Sequence, residues 1–281
     1  VFHRLNAINH RLMYNIFYVC DNLFMLYILK TWLKIFTNKM FLSILFGLIL
    51  INVIATLSGN ELFQQMTKPL FVPVFLIYFL LTKKHISFLI FTFLAFSFIG
   101  DFTSVFTNNL LMVEVSGLFY CLSYICLIIA AVIRIKKLKL DKVIGLYLIL
   151  VFLINSYLLF TLFDILKYHI PDSVEITLFG IKSVSLLVLA FVAFVDYLNT
   201  DSKQSIQFLV MSLCFVFSDI LYYVSTYYMY NWSFVMLDRV LHIVGLFLLF
   251  NYILEVNLER RRRSIMDRKI SFKKAYQLKL K

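Results

Sequence analysis

Unbroken apolar stretches alternate with short polar breaks along most of the chain. From residue 40 onward eight such stretches run over about 41–58, 69–82, 86–106, 110–133, 143–163, 174–197, 205–229 and 233–255. A run of about 20 apolar residues, wound as a helix, matches the roughly 30 Å hydrocarbon layer of a bilayer. The pattern therefore predicts an all-α polytopic membrane protein with eight transmembrane helices.

The polar breaks carry a second pattern. Lys and Arg are sparse in "GNELFQQMTK", "TNN", "LKYHIPDS" and "YNW", and richer in "TKKHIS" and "RIKKLKLDK". "NTDSKQ" adds one Lys, and the last helix runs into "ERRRRSIMDRKISFKKAYQLKLK". Basic residues accumulate on the cytoplasmic side of membrane helices. The even-numbered breaks and the tail are therefore expected inside, which puts both termini of an eight-helix domain over 40–257 in the cytoplasm. Residues 258–281 form a basic cytoplasmic tail.

Composition supports this class. The chain is 62% hydrophobic and 15% charged, against about 25% charged in soluble domains. The net charge of +12 would suit nucleic acid, but its concentration beside apolar helices fits a membrane surface instead. The expected partner is the membrane, with no nucleic acid, and the expected location is the inner cell membrane. Residues 1–39 fit the pattern less well. Their apolar stretch 16–36 contains Asp21, Lys30 and Lys34 and leaves almost no loop before the next helix. Met40 opens a natural first span, so residues 1–39 are expected to be an upstream extension outside the native protein, with an interfacial amphipathic helix as the alternative. Four cysteines, at 20, 121, 126 and 214, show no Cys-x-x-Cys spacing and imply neither a disulfide nor a metal site.

Ionisable residues inside apolar spans are costly and mark function by default. Here they are Lys68, Asp101, Glu114, Lys182, Asp219, Asp238, Arg239 and His242. Counted from the inner ends of their spans, Asp101 and Asp219 lie at the same depth, roughly 21–22 Å along at 1.5 Å per residue. The others also fall in the outer half, which predicts one polar cavity open to the outer leaflet. A lipid-facing, snorkelling Lys182, or one held in a structural pair, fits the pattern equally well. Glu114 and Asp238 are also within reach of the outer headgroups, and His242 alone reads more readily as a packing residue. Asp196, near an inner end, reads as a wetted helix end. "FSFIGD" and "CFVFSD" echo each other in the third span of each four-span half, as parallel repeats would.

Three stretches in order, "MTKPLFVPVFLIYFLL", "FLAFSFIGDF" and "LCFVFSDILYYV", resemble the YhhN-like lysoplasmalogenase family of eight-span membrane proteins. The family's KPLxxP start to the second span corresponds to Lys68, Pro69, Leu70 and Pro73. Its FSxxGD motif corresponds to Phe96, Ser97, Gly100 and Asp101, and its seventh-span SD motif to Phe215, Ser218 and Asp219. Two stretches depart from the family. Tyr124 stands where a fourth-span histidine is usual, and "LDRVLH", Leu237 to His242, replaces a T-Y-Y-x-A-Q set. The resemblance implies hydrolysis of the vinyl ether bond of lysoplasmalogens without a cofactor. Asp101 and Asp219 are the expected catalytic pair. The expected substrate-binding set is Lys68, Glu114, Tyr124, Lys182, Asp238, Arg239 and His242, with Lys68 or Arg239 on the substrate phosphate.

Two carboxyls suit that chemistry. One protonates the β-carbon of the vinyl ether, and the other stabilises the resulting oxocarbenium-like cation or directs water onto it. Other hydrolytic designs lack their parts. After Met40 only His85, His169 and His242 are available for zinc, and the first two belong to loops on opposite sides. The residue two before Gly100 is Phe98, so the GxGD of intramembrane aspartyl proteases is absent, as is a GxSxG nucleophile elbow. The competing reading from another class is a transporter or lipid-binding protein that uses the same cavity.

Overall fold

Where an apolar run lacks proline it folds as one uninterrupted helix. The computed structural model describes residues 39–59, 61–81, 86–106, 109–135, 142–170, 172–200 and 202–279. The expected extension over 1–39 lies, except for Lys39, outside the described residues. The chain divides into two units, Val1–Ser43 and Ile44–Lys281. Of the first, only the start of helix α1 is described.

All described secondary structure is helical. The helices are α1 (Lys39–Leu57), α2 (Glu61–Met66), α3 (Phe71–Leu81), α4 (Phe88–Thr103), α5 (Leu110–Arg134), α6 (Lys142–Leu166), α7 (Ser173–Thr200), α8 (Lys203–Tyr223) and α9 (Trp232–Lys279). Each of the eight apolar stretches contributes a helix. Five helical segments, those of α5 to α9, are long and apolar enough to cross a membrane. The second stretch gives less than expected. Pro69 and Pro73 remove backbone donors, so the chain makes a 3₁₀ turn over Lys68–Leu70 before an α3 of only 11 residues. At 1.5 Å per residue α3 covers about half the hydrocarbon thickness.

Two boundaries also differ from the sequence pattern. The last helix does not stop where the basic tail begins. It runs on to Lys279, 48 residues in all, because the tail contains neither glycine nor proline to end it. The seventh stretch ends in a wider π turn over Val224–Tyr228, closed by Met229 N donating to Val224 O at 2.9 Å. Helix starts are capped locally. Asn109 accepts from Leu111 N, Asp172 accepts from Glu175 N, and Ser202 and Ser205 form a reciprocal capping box.

Packing follows the buried stripes. On α7 the stripe runs through Phe179, Lys182, Leu186, Leu189, Ala193 and Asp196, the three- and four-residue spacing of one helix face. Helix α4 packs on α5, α5 on α7, α7 on α8 and α8 on α9, while α9 returns through α3 toward α4. Helix α6 has its principal contact with α7. Only Leu148 and Leu166 of α6 are buried, so it presents Leu146, Leu150, Leu153 and Tyr157 outward.

At the centre sits Phe215, with ring centroids 6.0 Å from Phe93, 6.2 Å from Tyr124 and 5.6 Å from His242. Helices α4, α5, α8 and α9 meet on this ring. Gly245 lets α9 approach it, since a Cβ there would lie 2.8 Å from the Phe215 ring. Gly145, on α6, has nothing within 4 Å of that position. Gly245→Ala should therefore destabilise the protein by about 1–3 kcal/mol, the usual cost of overpacking. Gly145→Ala should be neutral or stabilise by up to about 1 kcal/mol. Paired thermal unfolding in detergent checks the contrast.

Candidate functional site

Burying an ammonium or a carboxylate is affordable only when each polar atom finds a partner. The C-terminal ends of α4 and α8 and the N-terminal halves of α5, α7 and α9 answer that demand together. Lys182 on α7 and Asp219 on α8 form an ion pair, and both side chains are buried. The Lys182 ammonium lies 5.1 Å from the Tyr120 ring centroid and 4.7 Å from that of Tyr223. Lys68, on the proline-bearing turn, lies 5.3 Å from the Tyr120 ring and 4.9 Å from that of Tyr222. The negative faces of tyrosine rings thus surround two ammonium groups. Among the described residues Lys68 has no ion-pair or hydrogen-bond partner.

Asp101 occupies the last turn of α4 and is fully buried. Its Oδ1 accepts from the Tyr120 hydroxyl at 2.5 Å. Its Oδ2 lies 3.9 Å from His242 Nε2, and neither of these two buried atoms has a hydrogen-bond partner. Gly100 makes the contact possible. A Cβ at that position would lie 3.3 Å from the Tyr120 ring, so a larger residue would force the ring to shift by a few tenths of an ångström. Ser116 on the same face of α5 donates to Gly100 O at 2.9 Å, fixing α5 against α4. Asp101 and Asp219 do not hydrogen bond to each other: one is held by Tyr120 and the other by Lys182.

These groups border a cleft with about 50 Å³ open to water centres, room for on the order of four waters. Of the residues expected from the sequence, Lys68, Tyr124, Lys182, Asp219, Asp238 and His242 line it. Asp101 stands behind this wall, reached through Tyr120. Glu114 is half-buried and not part of the wall. Asp238 accepts from Ser218 Oγ at 2.5 Å, which ties the SD motif of α8 to α9.

Arg239, expected to be available for a phosphate, has a structural partner instead. Its Nη1 donates to Gln64 O and, at 3.1 Å, to Thr67 Oγ1. The carbonyl lies where α2 gives way to the proline-bearing turn, and the guanidinium holds that turn in place. Lys182 is buried in the cleft wall, so the lipid-facing alternative does not hold. Asp196 is buried too.

Among the cleft residues that sequence reasoning passed over are Tyr120, Glu175, Tyr222 and Tyr223. Glu175 lines the cleft and accepts from the Tyr227 hydroxyl, which the π turn supplies. One signal was available. Ser116, Tyr120 and Tyr124 recur every four residues on α5 and all are buried, a hydroxyl row on one face of an apolar helix. In and around the cleft, Asp101, Asp219, Asp238 and Glu175 stand against the cations Lys68, Lys182 and Arg239.

Compared with protein-family models, curated proteins and solved structures, the chain matches none. Fold and site define an all-helical protein, with helices of membrane-crossing length, that encloses a buried, charged, tyrosine-walled cleft.

Removing one member of the Lys182–Asp219 pair leaves the other buried and unpaired. Lys182→Met or Asp219→Leu should each cost about 3–5 kcal/mol, whereas the double variant should recover most of the loss. Thermal unfolding of the four proteins in detergent tests the coupling; additive losses would mean that the two side chains do not share one site.

Proposed function

We propose that this protein is an eight-span intramembrane hydrolase that cleaves the vinyl ether bond of lysoplasmalogen-type lipids, as its resemblance to the YhhN-like family implies. In this reading both ends of the helical domain are cytoplasmic and the cleft opens toward the outer leaflet. One observation carries the reading. Lys68 of the KPL motif, Asp101 of the GD motif and Asp219 of the SD motif, far apart in sequence, converge on one buried cleft through Tyr120 and Lys182.

The roles follow from placement. Asp219, ion-paired with Lys182, faces the cleft and stabilises the oxocarbenium-like cation or aims water at its carbon. Among the described residues Asp101 has no ammonium or guanidinium in ion-pair contact, and it is the carboxyl that holds the proton. Lys68, with no acceptor among the described residues, is the group for the lipid phosphate. Arg239 keeps the Lys68 turn in place. The fatty chain leaves between helices into the surrounding lipid.

The deciding experiment is an aldehyde-release screen of purified protein over lyso-lipids with vinyl ether, alkyl ether and ester linkages. Release from the vinyl ether alone is the expected result. Turnover in detergent, where no gradient exists, excludes transport as the sole activity; no aldehyde from any vinyl ether lipid would refute the hydrolase. Asp219→Asn should lower turnover at least about 10²-fold. Topology is checked separately. A reporter after Lys142 should read cytoplasmic and one at Asn109 external, and the reverse pattern would overturn the orientation.

A further inference from the structure

Asp101 holds the proton in the proposed reaction but does not reach the cleft. It is fully buried and absent from the wall, whereas Tyr120, bonded to it at 2.5 Å, is part of the wall. The other carboxyl oxygen, Oδ2, has no hydrogen-bond partner among the described residues. The nearest ring nitrogen, His242 Nε2 at 3.9 Å, is beyond hydrogen-bond reach. The Tyr120 hydroxyl is therefore the carboxyl's one outlet toward the cleft.

We propose that Tyr120 is the residue that delivers the proton to the lipid, with Asp101 acting behind it as a positioning residue and proton store. This rests on the hydrolase reading above and names the group that touches the substrate. When Asp101 carries the proton, the same short contact runs in the other direction: Oδ1–H donates to the Tyr120 oxygen, and the phenolic hydrogen turns into the cleft. The transfer is concerted. The phenolic O–H breaks as the π pair of the vinyl ether forms a C–H bond at the β-carbon, and the Asp101 proton passes to the phenolic oxygen. Tyrosine is thus unchanged and Asp101 becomes the carboxylate.

The ether oxygen lone pair makes the oxocarbenium-like cation. Water attacks the α-carbon and gives a proton to Asp219. In the collapse of the hemiacetal, its O–H proton returns through Tyr120 to Asp101, the C–O bond breaks, and Asp219 gives its proton to the departing alkoxide. Aldehyde and alcohol leave, and both carboxyls are restored. Glycine at position 100 has a catalytic consequence here, because it lets the ring lie flat enough for its hydroxyl to meet Oδ1.

The test compares wild type, Tyr120→Phe, Asp101→Asn and the double variant in the aldehyde assay. Phe keeps the ring against Gly100 and removes only the hydroxyl. Each single variant should lose about 10²-fold or more in kcat with little change in KM. The double variant should stay within a few-fold of the worse single, since groups that act as a unit are non-additive. In D₂O the wild-type product should carry one deuterium on the carbon beside the carbonyl. As a second route, Gly100→Ala keeps both groups but displaces the ring, and should lower kcat by about tenfold. Wild-type kcat in Tyr120→Phe beside an inactive Asp101→Asn overturns the relay and leaves the hydrolase standing; so do multiplicative losses in the double variant. A wild type that releases no aldehyde from a vinyl ether lipid overturns the hydrolase reading, and the relay with it.

Discussion

The Lys182–Asp219 ion pair sets the terms for the end of the helix bundle that holds the cleft. Neither group is tolerable alone among phenylalanines and leucines, so α7 and α8 must meet at one register, with the two side chains level. Once that register is fixed, the α7 stripe from Phe179 to Asp196 lies along α8. The tyrosines that follow the SD motif then close over the ammonium. The pair is not a large net source of stability, because desolvation consumes most of the attraction. It supplies uniqueness, since few other packings of these helices leave both charges satisfied.

Around this pair the cleft is built from weak but directional contacts. Tyrosine rings accept ammonium groups on their faces and offer hydroxyls at their edges. One residue type can therefore hold Lys68 and Lys182 and still reach Asp101 or Glu175. Ionised partners at every position would have made the site rigid and salt-like. Hydroxyls leave room for protons to change places, as the proposed hydrolysis requires.

Much of this was legible in the sequence, and the limits have physical causes. Apolar runs locate helices because length and composition suffice, and an ionisable residue inside such a run announces itself by its cost. Lys68, Asp219 and Asp238 were found in that way. Partner choice is another matter, because it depends on the rotation of each helix about its axis. The sequence could not tell a lipid-facing Lys182 from a buried one, nor a phosphate-binding Arg239 from one that braces a proline turn. Tyr120 escaped notice for a different reason: tyrosine is common in this chain, with 17 copies, and most positions suit a membrane interface equally well. The helix that outruns the membrane in the tail, and the short α3, come from the absence and presence of proline, which hydropathy does not weigh.

The bond from Arg239 to Thr67 joins residues 172 positions apart. The turn that carries Lys68 emerges early in synthesis, and the side chain that secures it arrives with the last helix. Until α9 is inserted, that turn lacks its brace, the Ser218–Asp238 contact does not exist and His242 is missing from the wall. A growing chain therefore passes through the bilayer with its charged interior unfinished. The cleft is completed in one step at the end of assembly, so under the proposed function a truncated product has no means of acting on lipid.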